Sequence, residues 1–302
     1  MHYVNYWGGN GLYEKEIIVV NDGSTDNTEK IVHDLALSYP DIVLITQENS
    51  GVASARNSGL RNATGNYIAW CDSDDYVEPE WLCNLYLRIK KYNADMSICR
   101  AKIKGHYVKY NPDEVIVWNR SEAIKEFLIE EKLNGTLWTK MFRRELFDNI
   151  SFALDMSYWE DSFVVWKVLQ KVQTIVRCNE GTYNYIVHSG SLCNAKINLN
   201  RVSSMLRLWD NIIVDCKLYH NEHLDLAIAK QYEYAISILG GMMKSSLYHC
   251  EFEQKLEMIV KSAGFKGVCK INGFTKRLFA IGLLMNMNMV RYLFNLRIKL
   301  KS

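Results

Sequence analysis

Apolar and polar positions follow two different periods along the first hundred residues. The short apolar runs KEIIVV at 15–20, DIVLITQ at 41–47, GNYIAW at 65–70 and DMSICRA at 95–101 predict strands. Between them apolar residues recur at helical spacing. STDNTEKIVHDLAL, VASARNSGLRNA at 52–63 and EPEWLCNLYLRIKKY at 78–92 therefore predict helices, the first opened by cap-forming residues. Strand–helix alternation with short connections predicts an α/β domain with a mainly parallel sheet. Beyond about residue 105 the pattern loosens. RSEAIKEFLIE, TLWTKMFRRELF and EDSFVVWKVLQKV (160–172) read as helices, TIVRCNEGTYNYIV as a strand, and the chain from about 198 as helical.

Composition narrows the class. Of 302 residues 48% are apolar, enough for a sizeable core. Eight cysteines are scattered without a C-x-x-C pair, which predicts free thiols rather than a zinc site or a disulfide framework. The opening MHYVNYWGGNGLYEKE lacks a signal-peptide pattern, and no run reaches the ~20 apolar residues that span a bilayer. The expected location is cytoplasmic. A net charge of +2 conceals an asymmetry: nine basic and no acidic residues follow Glu257, leaving 27 basic against 34 acidic before it. The basic, apolar stretch 274–301 suits peripheral contact with an anionic membrane leaflet; a helix packed on the core with exposed lysines is the alternative. No nucleic-acid partner is expected.

Three carboxylates within four positions, Asp72, Asp74 and Asp75, end the third predicted strand. Such a cluster is costly unless a cation relieves it, and hard oxygen donors suit Mg²⁺ or Mn²⁺. An ion held by one or two carboxylates completes its shell with phosphate oxygens, so a diphosphate ligand is implied. The plain alternative is a solvated cap for the helix that follows. Tyr76 and the missing glycine exclude a calcium loop, and no D-x-D-G-T supports an aspartyl phosphatase. In a parallel sheet Asp22 and Asp72 would share the carboxyl edge, where ligands collect.

VVNDGSTDNT, NSGVASARNSGL and GNYIAWCDSDD, followed by GTLWTKMFRRELF, WEDSF at 159–163 and TYNYIVHSGSL, resemble the nucleotide-sugar domain of family 2 glycosyltransferases. The likeness is close over about 15–105 and looser beyond. It implies a GT-A fold: a nucleotide-sugar-binding part at 1–105, an acceptor-side part at 106–197 and a helical region with a basic tail at 198–302. It implies inverting transfer from a nucleotide-diphosphate sugar, a UDP-sugar in particular, to a cell-surface polysaccharide or lipid-linked glycan at the inner face of the membrane. The alternative is a non-catalytic relative that binds nucleotide sugar or a partner protein. By resemblance Asp22 binds the base, Arg56 reaches the nucleotide and diphosphate, Asp72 and Asp74 form the D-x-D pair that holds Mn²⁺ or Mg²⁺, and Asp161 is the general base. His188 stands where relatives often have arginine and, with Ser191, would meet the diphosphate. From the residues alone, Asp22 also suits a turn, Arg56 solvent, and Glu160 and Asp161 a helix N-terminus. Trp138 and Lys140 read as packing and surface residues, with a place in the acceptor cleft as the alternative. The family usually opens with a strand and helix before the strand equivalent to EIIVV, where this chain has only MHYVNYWGGNGLYEKE. An inner strand is therefore expected to lack a ladder partner unless 3–7 stands in.

Overall fold

A computed structural model describes residues 2–6, 15–103, 111, 114–187, 196–270 and 274–299. The chain divides into two compact units, Met1–Ser189 and Gly190–Ser302. In the first, strands β1 (His2–Tyr6), β2 (Ile17–Asp22), β3 (Ile42–Gln47) and β4 (Tyr67–Asp72) alternate with helices α1 (Thr28–Ser38) and α2 (Val52–Asn62). Then come β5 (Tyr76–Val77), α3 (Trp81–Tyr92), β6 (Met96–Ile103), β7 (Val115–Asn119), α4 (Arg120–Ile129), β8 (Lys140–Arg143), α5 (Glu160–Leu169) and β9 (Thr174–Tyr185). The strands form one sheet in the order β3-β2-β1-β4-β8-β6-β9-β5, with β7 also paired to β9.

The α/β class holds, but the sheet is mixed rather than mainly parallel. β2–β3 and β6–β9 are parallel, while β1 runs antiparallel to both β2 and β4. The inner slot is thus filled: His2 pairs with Val20 on one side and Asp72 on the other. The direction has a simple cause. Only residues 7–16 separate β1 from β2, whereas a parallel crossover takes about a dozen residues or more.

The stretch 136–147 is not the expected helix. It contains β8, inserted antiparallel between β4 and β6, and a 3₁₀ turn at Arg144–Phe147. The core lies on both sides of the central strands. Ile18, Val20, Ile68, Ala69 and Trp70 are buried, with Ala53 and Ala55 of α2 and Val164, Val165, Trp166 and Leu169 of α5. Local chemistry sets helix starts: Asn119 and Glu122 form a reciprocal capping box at α4.

The second unit consists of α6 (Leu199–Tyr219), α7 (Leu224–Lys244), α8 (Cys250–Lys270) and α9 (Phe274–Lys299), the last two kinked at Gly264 and Asn286. Met205, Trp209, Tyr232, Leu239, Leu256 and Leu283 are among its buried side chains. Among the described residues, no helix is long and apolar enough to cross a membrane. Cys71, Cys83, Cys99, Cys178, Cys216 and Cys250 are free.

Candidate functional site

Three segments distant in sequence meet at the carboxyl end of β4. Arg56 on α2 is buried among them. Its Nη1 donates to Glu160 Oε1 at 2.6 Å, its Nη2 lies 3.4 Å from Asp72 Oδ1, and its guanidinium sits 5.7 Å from the Phe152 ring. Burial opposes its charge, but Glu160, Asp72 and Asp161 outweigh it and hold the guanidinium above its usual range. Asp72 is pushed up by burial, with Asp75 and Asp74 adding to the effect and Arg56 opposing it.

Asp161 lies in the first turn of α5, beside Glu160. The preceding Trp159 has φ 55°, in the left-handed region, which is strained for a bulky residue by roughly 1–3 kcal/mol. Of the acidic pair that follows, Glu160 is buried and Asp161 partly exposed. Ser162 N–H donates to Asp161 Oδ1 at 2.6 Å. Burial and the neighbouring Glu160 push Asp161 up to about 6, against Arg56 and the Ser162 bond. A carboxyl so placed can take a proton near neutral pH.

Asp22, at the end of β2, accepts from Gln47 Nε2 at 2.8 Å, Ser50 N–H at 2.9 Å and Gly51 N–H at 2.8 Å. Its carboxylate therefore orders the 47–51 loop that leads into α2. Gly23 completes that approach: at φ +70° it lies so close that a Cβ would meet Asn49 N at 2.7 Å. Asp74 is exposed in the turn after β4. Asp75 instead faces β9, accepting from Tyr183 Oη and Ile186 N–H, both at 2.7 Å. His188 and Ser191 lie outside the described residues.

Asp72 and Asp74 supply two hard oxygen donors. Among the described residues, no group of three or more His, Cys, Asp or Glu side chains is set to hold an ion. Two carboxylates fit Mg²⁺ or Mn²⁺ shared with phosphates, which needs no all-protein cage.

Several groups escaped the sequence reading. Glu160, read as a helix-end acid, is the buried partner of Arg56. Tyr183 Oη accepts from Asp72 N–H at 3.2 Å while donating to Asp75, so it braces the acidic turn. Lys140, read as a surface residue, is fully buried. Trp138 does pack, stacked on Tyr183 and Tyr185 with ring centroids 4.8 and 5.4 Å away. An acid beside the expected base and a lysine inside WTKMF were the available signals.

The sequence pattern of the family described as Glycosyl transferase family 2 matches residues 9–151. Glycosyltransferase GlyA of Streptococcus pneumoniae is 29% identical over 194 residues, covering 59% of this chain and 27% of that protein. The putative glycosyltransferase EpsH of Bacillus subtilis is 31% identical over 185 residues, covering 59% of this chain and 54% of that protein. The chain thus spans about a quarter to a half of these relatives' length. The crystal structure of S. aureus TarS 1–349 in complex with UDP-GlcNAc superposes with a TM-score of 0.68 at 19% identity, over 92% of this chain and 81% of that one. It shares the GT-A type fold.

Proposed function

We propose that this chain, which belongs to glycosyl transferase family 2, transfers a sugar from a nucleotide-diphosphate donor to a hydroxyl of a cell-surface polysaccharide or lipid-linked glycan, with inversion. The observation that carries this is Arg56. Its guanidinium, bonded to both Asp72 and Glu160, joins the acidic end of β4 to the head of α5. In this reading the carboxylates assigned to the diphosphate side and to proton transfer are neighbours through one arginine.

In this reading Asp161 takes the proton of the acceptor hydroxyl as its oxygen attacks the anomeric carbon. The new C–O bond forms on the face opposite the nucleotide, and the diphosphate leaves with the bonding electron pair. Burial strengthens Asp161 as a base; such proton transfer contributes about 10²–10⁴-fold. Asp72 and Asp74 would hold Mn²⁺ or Mg²⁺. When bound, the ion neutralises charge on the departing diphosphate. Arg56 keeps Asp72 in place and contributes positive charge. Asp22 meets the nucleobase, either directly or through the loop it orders, and the family resemblance assigns His188 and Ser191 to the diphosphate. The UDP-GlcNAc complex of TarS supports a UDP-sugar donor.

The second unit supplies a membrane contact in the same reading. α9 exposes Leu278, Met285, Met289 and Tyr292 in a stretch with basic and no acidic residues, which suits an anionic leaflet at the cytoplasmic face. Loss of co-sedimentation with anionic vesicles on deleting 270–302 is expected; unchanged binding removes this part.

The enzymatic reading is tested with the purified chain, Mn²⁺ and a panel of UDP-sugars, following UDP release. Turnover abolished by Asp74→Asn and by Asp161→Asn is expected. Uptake of UDP without turnover of any donor would favour a non-catalytic binder, and absence of both would end the proposal.

A further inference from the structure

We propose that Tyr183 is a positioning residue for the metal: with Asp75, its hydroxyl clasps the turn that carries Asp72 and Asp74 and fixes those two ligands against each other, while Asp75 stays off the ion. This rests on the reading of Asp72 and Asp74 as the holders of Mn²⁺ or Mg²⁺ and deepens it.

By residue type alone, the three carboxylates at the end of β4 are equal candidates for a cation. Their surroundings separate them. Asp75 turns both oxygens to β9 and the residue after it: Oδ2 accepts from Tyr183 Oη and Oδ1 from Ile186 N–H, each at 2.7 Å. Hydrogen bonds to an ionised acceptor are about twice as strong as neutral ones, so this attachment is firm. Asp74 is exposed, and Asp72 is half-buried beside Arg56.

The clasp closes on both ends of one turn. Asp75 N–H donates to Asp72 O at 3.2 Å, the closing bond of a β-turn in which Asp74 is the third residue. The Tyr183 hydroxyl accepts from Asp72 N–H at 3.2 Å while donating to Asp75. One oxygen thus binds the first and the last residue of the turn. Beyond it β5 adds only a two-residue pairing, Tyr76 with Asn184 and Val77 with Tyr183. A ladder that short holds little by itself. Three like charges in four positions favour an open turn, and the hydroxyl opposes that opening.

The hydroxyl is itself held in place. Tyr183 is fully buried, with Trp81 edge-on at 5.8 Å and Trp138 stacked at 4.8 Å between ring centroids. Phenylalanine would keep both ring contacts, so packing alone has no need of the phenol oxygen. Groups that orient metal ligands without touching the ion govern its affinity, typically by about 10–100-fold.

The test is Mn²⁺ uptake by the full chain with UDP present, read by EPR from the signal of free Mn²⁺. Tyr183→Phe should raise the Kd for Mn²⁺ by about 10–100-fold with circular dichroism unchanged. Tyr183→Phe combined with Asp75→Ala should raise it by less than the product of the two separate factors, because each opens the same clasp. Independent factors that simply multiply overturn the proposal. Should Tyr183→Phe fail to fold, Asp75→Asn is compared with Asp74→Asn. Weakened uptake in Asp75→Asn with none in Asp74→Asn supports the clasp. Uptake abolished in both makes Asp75 a ligand, and uptake unaltered in Asp75→Asn leaves the clasp without effect; either result overturns the proposal. A wild-type chain that takes up no Mn²⁺ removes the metal reading, and the clasp's purpose with it. Wild-type uptake that folded Tyr183→Phe leaves unaltered removes the proposal alone.

Discussion

Arg56→Met tests whether the junction of β4 and α5 is a buried ion-paired unit. The Arg56 and Glu160 side chains retain 8% and 11% of their exposure and meet at 2.6 Å, so solvent screens the pair little. Asp72 is 29% exposed and farther off, at 3.4 Å, and its share is correspondingly small. Removing one member of a buried pair strands the other charge and costs roughly 3–5 kcal/mol. Methionine still fills the space beside Phe152, so the loss is electrostatic rather than a cavity. For a unit of this size each kcal/mol lowers Tm by roughly 2–4 °C, giving a fall of roughly 6–20 °C. Urea unfolding followed by tryptophan fluorescence should show a lower midpoint with an unchanged m value. Arg56→Met with Glu160→Met should recover most of the loss, because exchanging both charges for apolar groups is often near neutral. A single variant within ~0.5 kcal/mol of wild type would refute the reasoning, since a solvated pair behaves that way.

Two further outcomes concern the head of α5. Asp161 titrates above the ~3.9 of an unfolded aspartate, so between about pH 4 and 6 the folded chain binds the proton more tightly than the unfolded one. This group's contribution to stability is therefore lost as pH rises through that window. Asp161→Asn should be more stable than wild type at pH 8 and close to it at pH 4, read from urea midpoints; an advantage independent of pH would exclude the raised carboxyl as its source. Gly135→Ala must displace the Ser162 backbone and should destabilise by roughly 1–3 kcal/mol, measured by the same unfolding experiment. Full wild-type stability would show that the 134–139 loop does not press on α5.

Periodicity locates β2, β3, β4, β6 and the helices between them to within a few residues, because each is a single local pattern bounded by turn chemistry. It fails where a neighbour decides the conformation. TLWTKMFRRELF spaces Leu137, Met141 and Phe142 as a helix would, yet the sheet takes Lys140–Arg143 as a strand because β4 and β6 offer ladder partners on both sides. The direction of β1 follows from the ten-residue connection behind it, which matters only once its two sheet neighbours are known. The site divides in the same way. D-x-D at a strand end is a local signature and drew attention to Asp72 and Asp74; the acid pair at a helix start suited a cap as well as a base, and only the family resemblance singled out Asp161. Lys140 was misread because lysine is ordinarily a surface residue, and only the surrounding sheet encloses it. Arg56 and Glu160 stand 104 positions apart, so nothing in either segment announces the other. Asp72, at the end of β4, meets the same arginine, which therefore contacts two segments remote from each other in sequence.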